Sequence, residues 1–250
     1  MWEFSLYFEK SLLPYFNDLK TELKQQFCND TNCVAIGIKD EQYCFMIALP
    51  NQVFKQNEAK IKQKFAEIVC VYYKPYYILK SLKNFDLTCD DNIILLDILA
   101  SYENQQDIFD ISKKLNVANK LYLKSYISFK LKEQINKWQE IGELINENSL
   151  FLIDKTIRQE LIKFLMAGLQ SDAELLTIKK NNDCFCVIDS NKRDVALKSI
   201  FYAQNEYDNL LYAIINKFPK YIQIENSKDF DVKFLNNLYQ LFGENVKFLK

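Results

Sequence analysis

The side chains best suited to chemistry in this sequence are thiols, carboxylates and a run of tyrosines interleaved with lysine. Cys184 and Cys186 lie two apart on an alternating apolar stretch, so both thiols fall on one side of a strand. With Cys28 and Cys33 they could in principle complete a thiolate metal site. Neither pair has the Cys-x-x-Cys spacing such sites use, so the expectation is no bound metal and reduced cysteines that mostly fill core space. Asp90-Asp91 and Glu206/Asp208 could hold a hard cation or act as an acid and base pair. Both clusters open expected helices, where carboxylates complement the macrodipole, and that is the simpler account of them.

Tyr72-Tyr73-Lys74-Pro75-Tyr76-Tyr77, with Lys80 and Lys83 following, is the most unusual stretch. Aromatic rings set among lysines can form a protein-binding hot spot or stack on single-stranded bases. The plain alternative is a helix junction whose rings pack on neighbouring helices. Tyr72, Tyr73, Lys74, Tyr76, Tyr77 and Lys80 are therefore the candidate partner surface. Side chains one or two apart on a helix face different ways, so at least one ring should be substantially exposed beside Lys74 or Lys80.

Other chemistry is closed to the chain. It has no histidine, which removes Ser-His-Asp and Cys-His catalysis and every imidazole ligand. Its four glycines, Gly37, Gly142, Gly168 and Gly243, are too far apart for a phosphate-cradling loop or a dinucleotide fingerprint, and no cofactor is expected. The net charge of −1 gives no global pull on nucleic acid or anionic lipid. The lysines between Tyr126 and Lys132 read as the solvated side of an amphipathic helix.

The elements that must position these residues follow from hydrophobic period. Trp2, Phe4, Leu6 and Phe8 alternate as a strand, and from Ser11 the period becomes helical through Leu12, Phe16, Leu19, Leu23 and Phe27. Cys33–Ile38 and Tyr43–Leu49 form a hairpin. A helix is expected from Val53 to Tyr73 with a break or kink at Pro75, because proline restricts Lys74 toward extended backbone. Thr88 and Asp91 have capping-box spacing ahead of Ile93–Leu99. One long helix is expected through Ile127, Leu131, Ile135, Trp138, Ile141 and Ile145, and another through Ile153, Ile157, Leu161, Phe164 and Leu165 to Gly168. A second hairpin turns at Asn181-Asn182-Asp183. A helix over 206–218, a strand over 221–224, a helix over 230–242 capped by Gly243 and a last strand over 246–249 complete the chain.

The fold class expected is thus α+β: small N-terminal (1–52) and C-terminal (171–250) α/β lobes around a helical middle (53–170) without strands. Composition is that of an ordinary globular protein, 49% hydrophobic and 26% charged. Ile93–Ala100, the most apolar stretch, is interrupted by Asp97 and is far short of the roughly 20 residues a membrane span needs. The start Met1-Trp2-Glu3-Phe4 has neither the basic region nor the apolar core of a secretory signal, so the expected location is cytoplasmic.

Three segments resemble the YtxC family of sporulation proteins of endospore-forming bacteria. They are Ser125-Tyr126-Ile127-Ser128-Phe129-Lys130-Leu131-Lys132-Glu133; the strand ending Phe185-Cys186-Val187-Ile188-Asp189; and Tyr207-Asp208-Asn209-Leu210-Leu211 through Pro219 to Ile222 and Ile224. The resemblance implies a sporulation-linked role and brings no catalytic residue with it. The leading expectation is a non-catalytic cytoplasmic protein acting through a protein partner. The alternative is a nucleic-acid-associated protein using its lysines and Tyr72–Tyr77, and the third reading is a carboxylate-based enzyme.

Overall fold

The computed structural model describes residues 1–27, 33–39, 41–148, 154–169, 171, 173–181 and 184–249. It is an α+β protein whose chain divides into two compact units, 1–81 with 103–142, and 82–102 with 143–250.

The first unit is built on a four-stranded sheet in the order β2-β3-β1-β4, with β1 at Trp2–Phe8, β2 at Cys33–Lys39, β3 at Gln42–Leu49 and β4 at Asn119–Tyr122. The hairpin β2–β3 is antiparallel, and β3 lies between β1 and β2, so helix α1 (Leu13–Phe27) spans a split crossover. The alternation of β1 works as expected: Phe4, Leu6 and Phe8 are buried, and their partners on β3 include Phe45 and Ile47. Phe16 of α1 and Phe65 of α2 (Asn51–Ser81) close on these residues, with ring centroids 4.1 to 6.3 Å apart. Each such ring removed from water stabilises the fold by roughly 1.5–3 kcal/mol. The remaining helices of this unit are α4 (Asn104–Lys114), α5 (Leu123–Lys130) and most of α6 (Lys132–Glu147).

Several expectations need correction here. The middle of the chain carries a strand: β4 pairs in parallel with β1 from Phe4↔Asn119 to Tyr7↔Tyr122. It was hidden because an edge strand of four residues with only Leu121 half-buried shows no alternation. Helix α2 does not break at Pro75 but runs on to Ser81. Proline there leaves one carbonyl without its helical partner and crowds the preceding turn. The burial of Tyr73, Lys74, Pro75 and Ile78 holds the segment helical against that cost. The long helix through Trp138 is two, interrupted at Leu131, whose φ of −108° and ψ of 19° leave helical geometry. The helical middle is not a body of its own, since its residues are shared between the two units.

The second unit holds a sheet in the order β6-β5-β7-β8, from β5 (Leu175–Asn181), β6 (Cys184–Asp189), β7 (Tyr221–Ile224) and β8 (Val246–Phe248). β5–β6 is an antiparallel hairpin, and β7 and β8 add in parallel. Asn182 and Asp183 of the expected turn, and Ile153 of the expected helix, lie outside the described residues. The helices are α3 (Asp90–Ser101), α7 (Lys155–Ala167), α8 (Glu206–Lys217) and α9 (Val232–Phe242). Helix α3 is apolar all round, with every residue from Asn92 to Ala100 buried, and it packs against α7 and α8. Its N-cap is Cys89 with no side-chain cap; Thr88 instead gives its amide and hydroxyl to Asp86. Asp91 therefore does not close a capping box with Thr88. Helix α8 does have one, formed by Asn205 and Asp208.

Candidate functional site

The tyrosine run lies within the last three turns of α2 and is mostly packing. Tyr73 is buried, and burial pushes its hydroxyl well above the ordinary tyrosine range. Tyr72 sits edge-on to Tyr15 at 5.6 Å and to Tyr73 at 4.9 Å. Tyr77 is half-buried among Tyr73, Tyr76 and Trp138. Tyr76 alone of the four rings is exposed, at 40%, one helical turn from the exposed Lys80. Of the six residues nominated as a partner surface, Tyr76 and Lys80 face solvent while Tyr73 and Lys74 are inside the fold.

Lys74 is fully buried, and it organises the most charged site of the first unit. Its Nζ lies 2.7 Å from Oδ2 of Asp107 on α4, and both side chains are about 1% exposed. Asp107 also accepts from Trp138 Nε1 at 2.9 Å, Gln134 Nε2 at 2.8 Å and Lys137 Nζ at 3.2 Å, all on α6. Lys137 reaches on to Glu103 at 2.7 Å. Burial lowers the pKa of Lys74, with the Asp107 charge opposing. Burial would raise Asp107, but Lys74 and the donors of α6 outweigh it and hold the carboxyl below the ordinary range. With both groups out of reach of solvent, the pair ties α2, α4 and α6 together rather than offering an acid and a base to a substrate. The sequence carried a signal for it: Lys74 lies one turn from Cys70 and from Ile78, a charge on an apolar helical stripe.

The second unit has a counterpart in Asp97, also on an apolar stripe. Its Oδ1 accepts from the hydroxyl of Tyr202 at 2.7 Å, while Oδ2 is buried with no hydrogen-bond partner among the described residues. Burial pushes this carboxyl well above the ordinary value, with the Tyr202 bond opposing and Asp208 adding to the rise. Of the nominated carboxylates, Asp90, Asp91 and Asp208 have partners within the fold. Asp91 faces Arg158 at 3.5 Å and Asp90 faces Lys233 at 2.9 Å. Asp208 accepts from the amides of Gln204 and Asn205. Among the described cysteines, Cys44 and Cys70 are buried and Cys33 and Cys184 are exposed, so filling core space accounts for fewer of them than expected. Cys28 lies outside the described residues.

Two apolar or open surfaces stand out among the described residues. Helix α7 turns Arg158, Ile162 and Met166 inward. One step round the helix, Ile157, Leu161 and Phe164 form a second apolar stripe, with Ile157 37% and Phe164 76% exposed. In the first unit, the sheet face opposite α1 and α2 is only half-buried, and the exposed lysines of β4 and α5 border it.

Comparison with known proteins yields little. No family model matches the chain, and no solved structure matches it. One curated protein is similar over part of its length, a glutamyl-tRNA reductase of Methanosphaera stadtmanae. The two are 26% identical over 138 residues, which is 55% of this chain and 34% of the reductase. The chain thus spans about a third of the relative it matches.

Proposed function

We propose that the protein is a non-catalytic, cytoplasmic binding protein that acts through a protein partner, in keeping with the sporulation-linked role implied by its resemblance to the YtxC family. The observation that carries this reading is α7, an amphipathic helix with two apolar stripes of which one is spent on the fold and the other faces water. Ile157 and Phe164 are exposed and Leu161 between them is half-buried, the i, i+4, i+7 spacing of the apolar anchors by which helices bind partner surfaces. The charged groups support the same reading, because Lys74, Asp107 and Asp97 are enclosed and the chain has no histidine. An enzyme reading borrowed from the reductase would need residues for its chemistry, and the enclosed charges and four scattered glycines provide none.

The test is affinity isolation from cells of the source organism with wild-type and Phe164→Lys baits. Phe164 is 76% exposed, so the substitution should leave the melting temperature within a degree or two while capture of specific partners falls by at least about tenfold. Equal recovery of the same proteins by both baits would remove α7 from the function.

A further inference from the structure

The sheet of the first unit is covered on one face by α1 and α2, and the register shows what the other face carries. Ser5 lies across from Met46, which lies across from Ala35, and Ala48 and Gly37 flank them. All five are half-exposed. With nothing larger than a methionine among them, they make a flat, partly exposed floor, which closes over at Tyr7 and Cys44, both buried on the same face.

One edge of that floor is aromatic and cationic. Tyr122 of β4 stacks on Tyr7 of β1 with centroids 4.7 Å apart and planes 15° from parallel. Tyr7 is buried beneath it, while Tyr122 remains 48% exposed. Lys120, two residues before Tyr122, shares this face beside Ser5. Lys124 follows at the start of α5, and Lys130 and Lys132 lie beyond, next to Phe129, which is 81% exposed. All four lysines are exposed, and among the described residues no carboxylate pairs with any of them. The segment from Ile111 to Lys132 holds six lysines and no aspartate or glutamate, in a chain whose net charge is −1. Two carboxylates lie nearby: Glu3 is on the same face, across from Ala48 and two residues from Ser5, and Glu133 is tied to Lys114.

A preorganised ring on an open sheet, bordered by unpaired ammonium groups, suits a ligand that alternates flat π-systems with anions. Single-stranded nucleic acid has that chemistry: each base can stack on a ring and each phosphate can meet a lysine. An anionic membrane would take the lysines and Phe129 but would gain nothing from a flat floor of small side chains. We propose that this open face binds single-stranded nucleic acid, with bases stacking on Tyr122 and phosphates held by Lys120, Lys124 and Lys130. The contact surface is distinct from the Tyr72–Tyr77 run and from the α7 stripe, so it stands or falls independently of the partner reading.

Fluorescence anisotropy with labelled RNA and DNA strands of about 12 nucleotides, taken through a salt series, tests it on the full chain. Binding at low salt that weakens steeply as salt rises is expected. Lys120→Glu and Lys124→Glu should each raise Kd about tenfold, Tyr122→Ala should raise it at least about fivefold, and Tyr122→Phe, which keeps the ring, should retain affinity. Lys228→Glu, an exposed change in the other unit, should have no effect. Tighter binding of RNA than DNA, or the reverse, supports the proposal and identifies the natural strand. It is overturned by no binding at about 50 mM salt, by binding that Lys120→Glu and Lys124→Glu leave unchanged, or by equal affinity for a duplex. Association with anionic vesicles without oligonucleotide binding would overturn it too.

Discussion

At the scale of single residues, the three enclosed ionisable groups behave differently because their partners differ. Asp107 accepts from Lys74, Trp138, Gln134 and Lys137, so its loss removes one acceptor shared by four donors on two helices. Lys74→Met leaves Asp107 with three donors still in place. Breaking a buried pair from one side costs about 3–5 kcal/mol. Asp107→Leu should therefore fall at or above the top of that range and Lys74→Met at or below its bottom, read as urea midpoints of the two variants. Equal losses would mean that the α6 donors contribute little. Asp97 has a different signature. Unfolded, it has an ordinary pKa near 3.9; folded, burial holds it well above. The native state then keeps a proton that the unfolded chain releases, so the contribution is complete below the ordinary value. It is lost as pH rises through the folded pKa, with a limiting slope of about 1.4 kcal/mol per pH unit. Asp97→Asn retains an oxygen for Tyr202 and cannot ionise. Its stability should match wild type near pH 4 and exceed it near pH 7, and two superimposable pH profiles would show that Asp97 is not held neutral.

At the scale of elements, the contacts between helices decide which positions tolerate change. A Cβ on Gly142 of α6 would lie 2.7 Å from the carbonyl oxygen of Ile78 and 2.7 Å from Cβ of Ser81, so α6 rests on the backbone of α2 at that point. Gly142→Ala should cost about 1–3 kcal/mol by forcing the helices apart. Gly168, just past α7, has an ordinary φ of −87° and a nearest neighbour at 3.4 Å. Its alanine variant should be neutral or more stable by up to about 1 kcal/mol, and thermal melts of the two variants separate these cases. Much at this scale was legible in the sequence, because amphipathic period is set by one buried face: β1, both hairpins and the helices over Leu13–Phe27, Glu206–Lys217 and Val232–Phe242 all follow it. Where tertiary packing overrides a local rule, the sequence misled. Pro75 reads as a stop but is carried inside a helix by its buried neighbours, and Thr88 reads as a cap but is engaged by Asp86. The rings of Tyr72–Tyr77 looked like a surface because their spacing forbids a single core. The fold resolves this by surrounding them on several sides with Tyr15, Trp138 and one another. The stacked Tyr7–Tyr122 pair was beyond reach, since it needs the parallel pairing of segments more than a hundred residues apart.

At the scale of the whole molecule, the chain does not divide where its composition suggests. A cut near residue 52 or 170 looks natural from the change of hydrophobic period, yet each compact unit is assembled from two stretches of sequence. Residues 1–52 keep β1, α1, β2 and β3 but lose Phe65 of α2, which contacts Phe4, Phe16 and Phe45, and lose β4 from the open edge of β1. Such a fragment would expose the apolar face of its sheet and an unpaired strand edge, both of which favour aggregation over folding. Residues 171–250 retain the whole second sheet with α8 and α9 but lose α3, whose buried leucines and isoleucines pack on α8. Uncovering Leu210, Leu211, Ile214 and their neighbours on α8 removes an apolar interface of several large side chains, each contributing roughly 1.5–3 kcal/mol, against a total stability of about 5–15 kcal/mol for a domain. The expectation is that neither 1–52 nor 171–250 gives a cooperative thermal transition or dispersed amide resonances. Adding α3 back in trans, as a soluble fusion of residues 82–102, should restore structure to a fragment covering 143–250 before it does so for 171–250, because α7 packs on α3 as well. A cooperative transition in 171–250 alone would show that α3 is dispensable to the second unit and that the boundary read from the sequence is also a boundary of stability.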